Sequence, residues 1–121
     1  MIKTVGLLKR RRGMTVQAFR DYYESTHRVI GEKYLSGHAC RYMRRFLNPT
    51  SDGNAATFGE DGDFDVILEI WYPDKAAFEA VRERLAAPEA AAEVLADELK
   101  LFDRDRNRFF TLSESVSDLP G

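Results

Sequence analysis

Residues 15–35 read TVQAFRDYYESTHRVIGEKYL, and the spacing of their apolar side chains decides how the rest of the chain folds. Phe19, Tyr23, His27, Ile30 and Tyr34 recur at steps of four, four, three and four, which places them on one face of a helix. Arg20, Glu24 and Arg28 occupy the opposite face at i,i+4 spacing, as a solvated surface would. Thr15 suits the N-cap, and Met14 is placed to meet Phe19 as a hydrophobic staple. Gly31 weakens the last turns, and Gly37 suits the position just past the helix end. The helix therefore carries a histidine on its apolar stripe. One reading is a core histidine whose nitrogens are satisfied inside the protein, the usual state of a buried polar group. The other is an imidazole that faces a small-molecule pocket.

Working outward, Met1 to Lys9 is rich in strand formers and reads as a first strand. The basic turn Lys9 to Gly13 lacks the glycine spacing of a phosphate loop and reads as a solvated tip. Ala39 to Leu47 reads as a second strand. Asn48 to Asp63 is a long polar loop, expected to be the most mobile internal segment. Its acidic end (Glu60, Asp61, Asp63, Asp65) does not make a calcium loop: a loop begun at Asp61 needs glutamate at its twelfth position, which is Tyr72. Phe64 to Tyr72 is the clearest strand. Pro73 and Asp74 start a helix to about Ala86, with Phe78, Val81 and Leu85 on one face. Pro88 restarts a helix whose buried side is expected at Ala91, Leu95, Leu99 and Phe102. Arg106 to Ser113 reads as a last strand. The chain thus divides into one domain, 1–114, and a short tail, 115–121.

Bulk properties bound the function. A chain of 121 residues forms one core. Eighteen basic against 20 acidic residues leave a net charge of -2, so no global field draws it to nucleic acid or anionic lipid. Cys40 is the only cysteine, which excludes an internal disulfide and a cysteine-based zinc site. No signal peptide or membrane-spanning run is visible, and a cytoplasmic protein is expected.

The order βαββαβ predicts an α+β, ferredoxin-like domain: a four-stranded antiparallel sheet with both helices on one face. In the third strand Val66, Leu68 and Ile70 suit the helix side. The alternate row is Asp65, Ile67, Glu69 and Trp71, and the last strand sends Phe109 and Phe110 to opposite faces. A lone domain would leave a large apolar patch in water, so a homodimer through the sheet faces is expected.

Three stretches carry a family resemblance: IKTVGLLKRRRGMT at 2–15, FRDYYESTHRVIGEKYL at 19–35 and FDVILEIWYPDKAAF at 64–78. They resemble the EthD-domain family of the dimeric α/β-barrel superfamily. The most specific feature is a phenylalanine, an aromatic pair and a histidine on the first helix, met by Phe19, Tyr22, Tyr23 and His27. Glu69 and Trp71 match a further element. Many members follow the histidine with Ala-Pro-Leu; this chain has Arg28, Val29 and Ile30, so the helix need not break there. The resemblance implies a small homodimer with a ligand cleft between helices and sheet. Some members are tied to ether-degradation gene clusters; others resemble dehydratases or decarboxylating enzymes of aromatic polyketide pathways, and family-level labels often say oxidoreductase. Distant relatives include cofactor-free monooxygenases and haem proteins. On this ground the pocket-facing reading of His27 is preferred.

An imidazole titrates near neutrality, so His27 suits a general base or acid toward an enolisable or phenolic substrate. Tyr23, one turn away, is its expected catalytic partner. Phe19, Tyr22, Tyr34 and Trp71 are the expected ligand contacts, although plain packing is the commoner role of such aromatics. Asp65 and Glu69 are expected to pair with Arg41, Arg45, Arg106 or Arg108 at the interface. His38 is expected to be exposed, and no metal or cofactor site is indicated. The function expected is therefore a cofactor-free proton-transfer enzyme, dehydratase or oxidoreductase-like, on an aromatic or polyketide-like metabolite. A non-catalytic ligand-binding or accessory protein is the alternative, and a haem-binding protein a weaker one.

Overall fold

The Thr15 hydroxyl accepts a hydrogen bond from the Ala18 backbone N–H at 3.1 Å and starts the first helix where the N-cap signal falls. In the computed structural model, which describes residues 1–48 and 62–121, β1 (Ile2–Leu8) precedes that helix. The helix has three parts: α1 (Val16–Tyr22), a π turn (Tyr23–His27) and α2 (Arg28–Leu35). Then come β2 (Arg41–Phe46), β3 (Val66–Tyr72), α3 (Lys75–Ala86), α4 (Pro88–Leu101) and β4 (Arg108–Thr111). Residues 49–61 of the expected polar loop lie outside the described residues. Among those described, no helix is long and apolar enough to cross a membrane.

The sheet runs β2-β3-β1-β4 with every neighbouring pair antiparallel, the ferredoxin-like order. Alternation along β3 sorts its side chains as expected. Val66, Leu68, Ile70 and Tyr72 pack under the helices. One core cluster joins Leu8, Phe19, Tyr23, Val66, Leu101 and Phe102; a second joins Leu35, Tyr72 and Val81. On the other face Trp71 is half-buried between two cations, Lys3 Nζ at 3.9 Å and the Arg41 guanidinium at 4.7 Å from the ring centre. Its indole N–H donates to Glu69 at 3.0 Å, and Glu69 pairs with Arg45 at 2.6 Å.

Several expectations are corrected. The first helix is not uniformly α: the Arg28 N–H reaches back to the Tyr23 carbonyl, five residues away, and opens one wide turn. Its charged face pairs differently from the expected Arg20–Glu24–Arg28 ladder, although Arg28 still finds an i,i+4 partner. Glu24 binds the Arg44 guanidinium through both oxygens, at 2.6 and 3.0 Å, and Arg28 pairs with Glu32. Asp65 is buried against the Arg10 backbone N–H (2.8 Å) and Lys9 Nζ (3.3 Å), away from the arginines expected for it. His38 is half-buried beside the Arg84 guanidinium, at 2.8 Å. β4 is shorter than the expected strand.

The largest correction is the phase of α4. Its buried residues are Ala90, Asp97 and Leu101, whereas Leu95 and Leu99 are 42% and 56% exposed and Ala91 is exposed too. Phe102, just past the helix, is buried as expected. Reading the apolar stripe alone rotates the helix wrongly, because one of the inward positions is a carboxylate. The observed phase makes a direct test. Leu99→Ala is expected to change stability by no more than about 0.5 kcal/mol, and Leu101→Ala to cost about 2–5 kcal/mol, both read from urea unfolding.

Candidate functional site

Tyr22 and His27 are five residues apart, a separation that in an α-helix would point them about 140° away from each other. The π turn closes that angle by inserting one residue into the turn. Both side chains consequently reach one group on α4, the carboxylate of Asp97, which is only 4% exposed. Tyr22 donates its hydroxyl proton to Oδ1 at 2.7 Å. The other oxygen, Oδ2, accepts from His27 Nδ1. A carboxylate on Nδ1 fixes the imidazole tautomer and leaves Nε2 as the working nitrogen. Among the described residues Nε2 has no hydrogen-bond partner. The ring itself is held edge-on between Tyr23 (centroids 4.7 Å apart) and Phe102 (5.2 Å).

His27 lines a cavity of about 190 Å³ between α2, α4 and the sheet. Ile30, Leu68, Ile70, Leu85, Val94 and Phe109 make most of its wall apolar. The polar groups on the wall are His27, Tyr34, Tyr42 and Glu98. Tyr42 reaches its place because residue 31 is glycine: a Cβ there would stand 2.6 Å from the Tyr42 hydroxyl oxygen. Gly31, which costs the helix propensity, is thus where a strand side chain leans on the helix backbone.

Burial governs the electrostatics. It pushes the phenol of Tyr42 up to about 12. The phenol of Tyr22 also rises to about 12, from burial first and then the bond to Asp97. Tyr34 donates to Glu93, which raises Tyr34; Glu93 also meets Lys33 Nζ at 2.5 Å, and that ion pair holds it low. Glu98 is lifted above the ordinary carboxylate range by burial, with Arg104 at 4.0 Å and His27 pulling it part of the way back.

Of the residues expected at a site, His27 and Tyr34 line the cavity. Tyr23 does not: its ring packs against His27, but its hydroxyl is buried with no hydrogen bond of good geometry, acted on by the Tyr42 hydroxyl. Burial drives that phenol well above its usual value. Tyr22 stands behind His27, on Asp97, and not on the cavity wall. Phe19 is sealed in the core, and Trp71 lies on the opposite face of the sheet. Three residues were missed by sequence reasoning: Asp97, Glu98 and Tyr42. A signal for the first existed. Ala90, Val94, Asp97 and Leu101 recur at steps of four, three and four, an alternative stripe on α4 that carries a carboxylate just as the first helix carries a histidine. Among the described residues no three metal-ligating side chains converge.

Glu98 sets a pH-dependent term in stability whose sign follows from its shift. A carboxyl raised in the folded state binds its proton more tightly there than in the unfolded chain. It therefore favours folding at pH below its unfolded value, and that gain is lost as pH rises through the folded value. Glu98→Gln is expected to raise the melting temperature near about pH 7 and to leave it unchanged near about pH 3. Calorimetry at the two pH values checks this.

The comparisons with known proteins follow the same architecture. At3g17210 from Arabidopsis thaliana, in its crystal structure, has 17% identity and a TM-score of 0.59, over 98% of this chain and 100% of that one. Atu4242 from Agrobacterium tumefaciens has 17% identity and a TM-score of 0.56, over 95% and 94%. A NIPSNAP family protein of the same bacterium has 15% identity and a TM-score of 0.54, again over 95% and 94%. At these identities the likeness is one of fold. No curated protein matches the chain. The EthD domain matches residues 11–105, a span that holds the histidine-bearing helix, β2, β3 and the helix that supplies Asp97, and the chain belongs to the EthD domain family.

Proposed function

We propose that this protein is a cytoplasmic, cofactor-free enzyme that moves protons on a small aromatic or polyketide-like molecule, with His27 as the transferring group. One observation carries the reading: Nδ1 of His27 is held by a buried carboxylate while Nε2 is left unpaired on the wall of an apolar cavity. Asp97 holds the tautomer and offsets the charge of the imidazolium, as the orienting carboxylate of a catalytic triad does. Tyr22, kept protonated, occupies the second oxygen and keeps Asp97 in place. Nε2 then accepts a proton when neutral and returns one when charged. Toward an enolisable ketone it serves the carbon acid or the enolate oxygen; in a dehydration it serves the departing hydroxyl. The apolar wall favours a ring-shaped ligand and keeps bulk water from the reacting atoms.

2-Tetralone, a bicyclic aromatic ketone with an acidic C–H beside the carbonyl, serves as the probe. Wild type in D₂O is expected to accelerate deuterium incorporation at that carbon, followed by proton NMR. His27→Gln, whose amide still donates to Asp97, is expected to stay folded and to lose about 10²–10⁴-fold of the rate. Binding of the ketone with no acceleration would return the protein to the ligand-binding class.

The same reading includes a homodimer through the open sheet face. Val5, Leu7, Met43, Ile67 and Phe110 share that face with the stacked Trp71, and Phe110 is 51% exposed. Two-fold pairing lets one such patch cover itself. Light scattering at micromolar concentration is expected to give twice the chain mass, and Ile67→Glu to return it to the chain mass; a monomeric wild type would overturn the assembly.

A further inference from the structure

We infer that Glu98 is the second proton-carrying group of the His27 cavity, so that the site moves a proton between two atoms of one substrate. This deepens the acid–base reading of His27 and rests on it. Asp97 and Glu98 are consecutive on α4 and therefore point about 100° apart. Asp97 is turned behind the imidazole with both oxygens engaged. Glu98 is left on the cavity wall, the one carboxylate among the described lining residues. Its nearest ion-pair partner, Arg104 Nε, stands at 4.0 Å, beyond a hydrogen bond. The Glu98 side chain is 20% exposed, so among the described residues that loose ion pair leaves its oxygens open to a molecule in the cavity. The other polar lining groups keep their protons: Tyr42 is pushed up to about 12 and Tyr34 is raised. His27 and Glu98 are the two lining groups whose side chains serve as general acid or base.

The groups that face Glu98 are Arg104 from the turn after α4, His27 from the π turn and Asp97 on its own helix. Those that face His27 are Asp97, Glu98 and the ring of Tyr23. With Asp97 supporting the imidazolium, the directions follow. The Glu98 carboxylate accepts the proton from the C–H bond beside a ketone. The C–H electron pair becomes the C=C bond, the carbonyl pair moves to oxygen, and His27 gives its Nε2 proton to that oxygen. The protonated Glu98 then returns its proton at the same carbon or, in a β,γ-unsaturated ketone, two carbons further on, while Nε2 recovers the hydroxyl proton. Atoms and charges balance with no co-reactant, and the net reaction is a proton shift within a ring-sized ketone.

The test follows deuterium incorporation into 2-tetralone against pH in wild type, Glu98→Gln, Glu98→Asp and His27→Gln. Wild type is expected to lose rate toward low pH, an acid limb set by Glu98. Glu98→Gln should lose about 10²-fold or more of the rate, together with the acid limb, and Glu98→Asp should restore part of both. If His27→Gln is inactive but Glu98→Gln keeps the wild-type rate and acid limb, this inference falls and the reading of His27 stands. If wild type gives no acceleration, both fall.

Discussion

A carboxylate buried to 4% exposure is the constraint on which the rest of this structure turns. Removing such a charge from water costs several kcal/mol, and a single partner seldom offsets it. Asp97 has two, and they come from the same helix five positions apart. A regular α-helix cannot present both to one point. The π turn, the inward phase of α4 and the exposure of Leu95 and Leu99 are thus one arrangement seen from three sides. If any of them is undone, a charge is stranded in the core. Wide turns of this kind are often found where function requires an irregular helix.

The fold was legible because it rests on periodicity. β3 sorts its rows by simple alternation, Thr15 and Asp74 mark their helices with side-chain caps, and Pro88 opens the last helix as an N-terminal proline does. The site was legible only in half. His27 stood out as a polar residue on an apolar stripe. Asp97 was hidden by the same logic, because Leu95 and Leu99 advertise a different stripe and a carboxylate is assigned to solvent by default. Tyr23 and Tyr22 exchanged roles for a related reason: a wheel of constant pitch cannot register one extra residue in a turn. What sequence periodicity cannot see is the partner that makes a buried charge tolerable, since that partner lies 70 residues away.

The two faces of the sheet have opposite characters. The helix side is mostly apolar and holds the cavity. On the other side the cations of Lys3 and Arg41 cover the Trp71 ring, and Glu69 ties Trp71 to Arg45. Trp71 and His27 looked like two walls of one aromatic site, yet a sheet lies between them. Alternation is sufficient to explain this: Trp71 belongs to the row of Ile67 and Glu69, and the cavity belongs to the row of Leu68 and Ile70.

Gly31 and Tyr42 give the cavity an adjustable dimension. The Tyr42 hydroxyl rests where a Cβ of residue 31 would be, and its ring forms part of the wall. A methyl group at that point would stand too close to the phenol, so the Tyr42 ring must shift and the wall with it. The form of the cavity is therefore set from the helix backbone, by the one described residue on that wall with no side chain to offer. The shape of the cavity can thus be retuned at position 31 with every hydrogen bond of the His27–Asp97–Tyr22 circuit left in place.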